Sequence, residues 1–143
     1  MIEIAHRANY NGITLDENSP NKIHFLLSKD VACEIDVWYI DNKWWLGHDS
    51  PIYNVDLEFI VNDKLWLHCK NKDALYQMIK YNVSNNFFFH NNDEYVLTSN
   101  RFIWTYPGNE DSDKSIIVVL DEGQLESNRT KNWYGICHDW ITL

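Results

Sequence analysis

The chain has 143 residues and a net charge of −9, from 12 basic and 21 acidic residues. Apolar residues make up 45% of it, with seven Trp and eight Tyr, enough to bury a substantial core and too many for a disordered chain. The length suits one domain, residues 1–143, and the acidic balance disfavours nucleic-acid backbones and anionic membrane surfaces as partners.

No run approaches the roughly 20 apolar residues of a membrane span. No signal peptide is visible, because Met1 leads at once into Ile2-Glu3-Ile4. The expectation is a cytoplasmic protein without membrane insertion. Composition says nothing about its oligomeric state.

Ile2 to Ala5 reads as a short strand followed by His6-Arg7. Residues 8–20 form a polar loop ending Glu17-Asn18-Ser19-Pro20. Ser19 before Pro20 is a helix start, a cap followed by proline at the first helical position. Ile23, Leu26 and Leu27 then give one apolar helical face, and His24 on that helix is expected to be exposed.

Residues 32–49, ACEIDVWYIDNKWWLGHD, carry the densest chemistry. Glu34 and Asp36 sit two apart in a β-branched run, so in a strand they share one face while Ile35 and Val37 take the other. Buried carboxylates are costly unless paired or bound to a cation. Two facing one way point to a divalent metal held by oxygens. The same pattern also fits an edge strand with solvated acids. Asp41-Asn42-Lys43 is a polar turn, and Trp44 to Leu46 is a second apolar run ending Gly47-His48-Asp49.

Residues 51–63 read as a loop with a short helix, Leu57, Ile60 and Val61 facing inward. Leu65 to Leu67 is a strand ending His68-Cys69-Lys70. Asn71 caps a helix over 72–81 with Leu75, Met78 and Ile79 on its buried face. Phe87 to Phe89 is a strand ending at His90, and Tyr95 to Thr98 pairs locally. Phe102 to Thr105 is a strand ending Tyr106-Pro107-Gly108, followed by a charged loop over 109–114. Ile116 to Leu120 is a continuous apolar strand. Residues 122–132 are polar with at most a short helix. Tyr134 to Cys137 is the last strand, ending His138-Asp139.

Cys33, Cys69 and Cys137 are an odd number with no close pair, and each lies in an apolar run. They read as buried hydrophobes in a reduced chain. The N-x-S/T triplets at Asn82 and Asn128 are chance matches.

The apolar runs are too continuous for half-exposed antiparallel strands, which implies a sheet buried on both faces. Eight such runs, each ending in polar or reactive residues, point to an α/β fold: a compact, stripped-down (β/α)8 TIM-type barrel with short or missing helices. Such barrels usually take about 250 residues, so several helices must be absent. An open α/β sheet is the alternative. His6, Arg7, Asp36, His48, His68, Lys70, His90 and His138 all fall at carboxyl ends of runs, where barrels build their active sites.

The order His6-Arg7, Glu17-Asn18-Ser19-Pro20, Glu34-Ile35-Asp36-Val37-Trp38 and Leu46-Gly47-His48-Asp49 resembles the glycerophosphodiester phosphodiesterase family, phospholipase-C-like phosphodiesterases on a TIM barrel. That family runs His-Arg-Gly, Glu-Asn-Thr, Glu-x-Asp-Val and His-Asp. Here Ala8 stands for the Gly and Ser19 for the Thr. Leu65 to Lys70 falls where the family has a strand ending Glu-x-Lys, and Gly135 to Asp139 resembles its closing strand. The resemblance covers both ends of the barrel and places residues 84–132 less securely.

The resemblance implies a metal-dependent phosphodiester hydrolase. His6 and His48 would be the general acid and base, and Glu34 and Asp36 would bind the metal. Arg7 and Lys70 would hold the phosphate, and Glu17 would line the site and orient Arg7. His68 replaces the family's third metal carboxylate. The implied cofactor is a divalent ion, Ca²⁺ or Mg²⁺ rather than Zn²⁺, although imidazole suits softer ions than Ca²⁺. The implied partner is a small phosphodiester. The chemistry fits these residue types: a cation and Arg neutralise the phosphate, and one histidine deprotonates the nucleophile while the other protonates the leaving alkoxide. A pocket that binds phosphate esters without turnover is the alternative. His90 and His138 read as supporting groups, and Trp104 and Tyr106 as core or a stacking surface.

Overall fold

The computed structural model describes residues 1–109 and 112–143, so the charged loop expected over 109–114 lies in part outside the described residues. In chain order the strands are β1 (Ile2–Ala5), β2 (Ala32–Ile40), β3 (Lys43–Leu46), β4 (Tyr53–Val55), β5 (Leu65–Cys69), β6 (Asn86–Phe88), β7 (Tyr95–Leu97), β8 (Ile103–Thr105), β9 (Ser115–Val119) and β10 (Gly135–His138). The α-helices are α1 (Pro20–Ser28), α2 (Leu57–Ile60), α3 (Lys72–Lys80) and α4 (Leu125–Arg129).

The strands form one mixed sheet. Its parallel part runs β6-β5-β2-β1-β10-β9-β8. The far half of β2 turns back antiparallel into β3, which pairs with β4, and β7 pairs antiparallel with β8. The sheet curls into a half-barrel.

The expected alternating (β/α)8 barrel is therefore corrected. The hairpin of β3 and β4 and the single turn of α2 stand where one full crossover helix would be. β7 stands in the path from β6 to β8. Among the described residues between β8 and β9 there is no helix. A chain of this length has no residues to spare for eight crossovers. Complete strand–helix–strand units occur at β1-α1-β2, β5-α3-β6 and β9-α4-β10. Where β6 meets the turn after β7, the Ser99 N–H donates to Phe87 O at 2.9 Å, and the Phe87 N–H donates to Ser99 Oγ at 3.0 Å.

The continuous apolar runs do mark strands buried on both faces: every residue of β5, β9 and β10 is buried. One face of the sheet packs Ile4, Trp66, Phe88, Trp104, Ile116, Val118 and Cys137 into an aromatic-rich interior. The other face packs Cys33, Ile35, Val37, Leu65, Leu67 and Cys69 against Ile23 and Leu26 of α1 and Ala74 and Met78 of α3. Ile117, Val119 and Ile136 lie over Leu125 of α4. All three cysteines are buried free thiols, and burial pushes Cys33 and Cys69 up to about 12.

The helix caps form where expected. Ser19 Oγ accepts from the Lys22 N–H at 3.4 Å, and Asn71 Oδ1 from the Ala74 N–H at 2.9 Å. Two expected core residues are exposed: Ile79 on α3, whose inner face uses Ala74 instead, and Val61 just past α2. His24 is exposed as expected. Among the described residues no helix is long and apolar enough to cross a membrane.

Candidate active site

Parallel register builds the site. β2 and β5 pair with Asp36 beside His68 and Glu34 beside Trp66. Glu34, Asp36 and His68 consequently project from the same face, above the aromatic interior. β1 and β10 pair with Ala5 beside His138, which brings His6 and Asp139 off adjacent strand ends. After β1 the chain turns sharply, with Arg7 at φ 51° and Ala8 at φ 59°. That left-handed conformation favours glycine, and it falls where the resembled family has Gly. Ala8 carries a cost of about 1 kcal/mol there. The turn aims the Arg7 N–H at Glu34 Oε2, 3.0 Å away.

His6, Arg7, Glu34, Asp36, His48 and His68 line one cavity of about 220 Å³. Trp104, Tyr106, Val118 and Leu120 line it too. Two expected residues do not line it. Lys70 holds its Nζ 3.5 Å from Asp36 Oδ1. Glu17 accepts from Arg7 Nη1 at 3.2 Å, a contact that holds the guanidinium.

Glu34, Asp36 and His68 are all buried, and one donor atom from each lies within 4.8 Å of the other two. His68 Nδ1 is 3.0 Å from Asp36 Oδ1. Neither this nitrogen nor Lys70 Nζ, 3.5 Å away, makes a hydrogen bond of regular geometry to it, so that buried oxygen has no hydrogen-bond partner. Two carboxylates and an imidazole nitrogen, buried and converging with one oxygen orphaned, are a donor set that fits a divalent cation. Burial raises the Glu34 carboxyl, and the Asp36 charge pushes it the same way. Burial opposes ionisation of Asp36 as well, but His68, Lys70 and Asn18 outweigh it and hold that carboxyl well below the usual range.

Each of the two candidate acid–base histidines has a carboxylate at Nδ1. His6 Nδ1 is 3.1 Å from Asp139 Oδ1, and His48 Nδ1 is 2.7 Å from Asp49 Oδ1. Both rings are left with Nε2 for chemistry. Their settings differ. His6 is mostly buried beside a fully buried Asp139, whereas Asp49 is solvated. Burial works against His6 protonation, but the Asp139 hydrogen bond and the Glu34 and Asp139 charges raise it above its ordinary value. Burial alone would raise Asp139; the bonds from His6 and Asn9 instead lower it.

His90 stacks on His68, ring centroids 4.3 Å apart and planes 7° apart. Burial, then the His68 and Lys70 charges, push it down to about 4, so it is neutral at neutral pH. His138 does not reach the site. It is fully buried on the outer face, where Nδ1 accepts from the Trp140 N–H at 3.1 Å.

Sequence reasoning missed two groups. Asn18 clamps Asp36 twice: Nδ2 donates to Oδ2 at 2.8 Å, and Oδ1 accepts from the Asp36 N–H at 2.9 Å. It adopts φ 62°, a conformation Asn tolerates. Its place beside Glu17 in the second motif was the available signal. Asp139 was visible only as the acid after the last strand.

His48 is positioned by a constrained turn. The Gly47 N–H donates to Asp36 O at 3.2 Å, and Trp38 Nε1 donates to Gly47 O at 2.6 Å. Gly47 has φ 146°, and a Cβ there would stand 2.1 Å from Ser50 O. Gly47→Ala should therefore destabilise the fold by about 1–3 kcal/mol, measured by urea denaturation; a cost near zero would mean that the turn relaxes freely.

No family model, curated protein or solved structure matches the chain.

Proposed function

We propose that the chain is a metal-dependent phosphodiester hydrolase, similar in chemistry to the glycerophosphodiester phosphodiesterases it resembles. One observation carries this reading: the Glu34–Asp36–His68 cluster shares a cavity with His6 and His48, two histidines each held at Nδ1 by a carboxylate.

The carboxylates around the site favour a cation beside such a substrate. Glu17, Glu34, Asp36 and Asp139 surround the site, against Arg7 and Lys70. A phosphodiester anion entering that field is repelled unless the sign is changed. A divalent ion held by Glu34, Asp36 and His68, with Ca²⁺ or Mg²⁺ as the expected occupant, would supply that change and polarise the phosphoryl oxygens. Arg7 adds a fixed positive charge, oriented by Glu17 and lying 3.8 Å from Asp36 through Nε.

The settings of the histidines divide the proton transfers. His6, whose protonated form Asp139 favours, donates from Nε2 to the leaving alkoxide as the P–O bond breaks. His48, in a wetter setting, accepts the proton of the attacking hydroxyl as the new P–O bond forms. The nucleophile is water or a neighbouring hydroxyl of the substrate. A second reading, a phosphate-ester binding module, rests on His68 in place of the family's carboxylate.

The pH profile tests the assignment. Activity should follow a bell, with its basic limb set by His6. Asp139→Asn should move that limb to lower pH and leave the acidic limb in place. An unmoved basic limb would remove His6 from the acid role. Stability follows the same sign: the raised His6 contributes stability that is full below about pH 6.5 and lost as pH rises through its folded value. Asp139→Asn should remove that gain, so melting temperatures at pH 5.5 should fall more than at pH 8.5.

A further inference from the structure

A groove beside the site lies between residues 13–17 and 48–52, with a volume of about 740 Å³. His48, a candidate catalytic residue, lines both this groove and the catalytic cavity. Three large apolar side chains line it in the open: Ile13 at 71% exposure, Ile52 at 57%, and Leu15 fully exposed. The loop that displays Ile13 and Leu15 is braced. The Gly12 N–H donates to Asp139 O at 2.8 Å, and the Asn18 N–H to Arg7 O at 2.8 Å. Lys22 Nζ donates to Asn9 Oδ1 at 2.9 Å and to Thr14 Oγ1 at 2.6 Å. The apolar rim is thus held in place before anything binds, which lowers the ordering cost of binding. Asp16, Glu17 and Asp49 also line the groove, and among its described lining residues there is no Lys or Arg. It disfavours a second anionic group and accepts an uncharged chain.

We infer, resting on the hydrolase reading, that this groove receives the aliphatic alcohol of an amphiphilic phosphodiester, with the phosphate at the Glu34–Asp36–His68 cluster and His48 between the two. An enzyme built this way distinguishes substrates by the length of that alcohol.

The test compares glycerol phosphodiesters of methanol and octanol, the latter below its micelle concentration, with the matching unreactive phosphonates. Wild type should favour the octyl ester in kcat/KM, and the octyl phosphonate in calorimetric affinity, by roughly tenfold or more, the worth of about two buried methylene groups. In the triple variant Ile13→Ser, Leu15→Ser, Ile52→Ser both ratios should collapse toward one. Equal values for methyl and octyl in wild type, or a preference surviving in the triple variant, would overturn the inference. If neither ester is turned over but the phosphonate ratio appears and collapses as stated, the groove stands and the hydrolase reading fails. If wild type sediments with phosphatidylcholine vesicles, the variant does not, and the monomeric octyl compounds have no advantage, the rim is a membrane-docking surface and the inference is wrong.

Discussion

In a calorimetric titration, Asp36→Asn should bind divalent cations at least about 100-fold more weakly than wild type, a loss larger than displacing a supporting group alone produces. Asp36 is fully buried, it carries the orphaned oxygen of the cluster, and Asn18 fixes its other oxygen. The amide can place a nitrogen or a weak neutral oxygen there, and it removes the charge. Hydrolysis should fall with binding. Because Lys70 Nζ lies 3.5 Å from Asp36 Oδ1, its ammonium competes for the same oxygen. His68→Glu should restore an all-carboxylate cluster and move the preference toward Ca²⁺ and Mg²⁺, read from the same titrations. Wild-type protein that binds no divalent ion at millimolar concentration would end the metal assignment.

The second large effect is on turnover. His6→Ala and His48→Ala should each lower kcat by roughly 10²–10⁴-fold, the usual weight of general acid–base catalysis. Affinity for an unreactive phosphate ester should change far less, because Arg7 and the cation carry that contact. Arg7→Ala should weaken binding and rate together, since it removes a charge-assisted partner of the phosphate and the N–H bond to Glu34 remains. A trace rate that survives His6→Ala unchanged would replace the enzyme by a binding module.

Much of the site was legible because it depends on local periodicity. The i, i+2 spacing put Glu34 and Asp36 on one face, and the strand ending at Cys69 put His68 near its end. What places His68 next to Asp36, however, is interstrand register, which no local pattern encodes. Asp139 meets His6 for the same reason, across the whole length of the chain. The fold was misjudged by counting strands and assuming crossovers. The run at Trp44 reads like any other apolar strand, yet its two-residue turn at Asp41 and Asn42, both with positive φ, makes it an antiparallel hairpin. Tyr53 to Val55 went unread as a strand because the exposed, polar Asn54 interrupts its apolar residues. His138 looked like a rim residue because it precedes Asp139, but alternation turns its ring to the outer face.

The central claim is that one cavity joins a cation site to two histidines for cleavage of phosphodiesters. Its most direct measurement is release of product from a panel of glycerophosphodiesters, with Mg²⁺, Ca²⁺, Mn²⁺ or Zn²⁺ added back to chelator-treated protein. Turnover that requires a divalent ion, and that both Asp36→Asn and His6→Ala abolish, is the predicted result. Turnover that persists after chelation and in both variants, or no turnover with any ion despite tight cation binding, would contradict it.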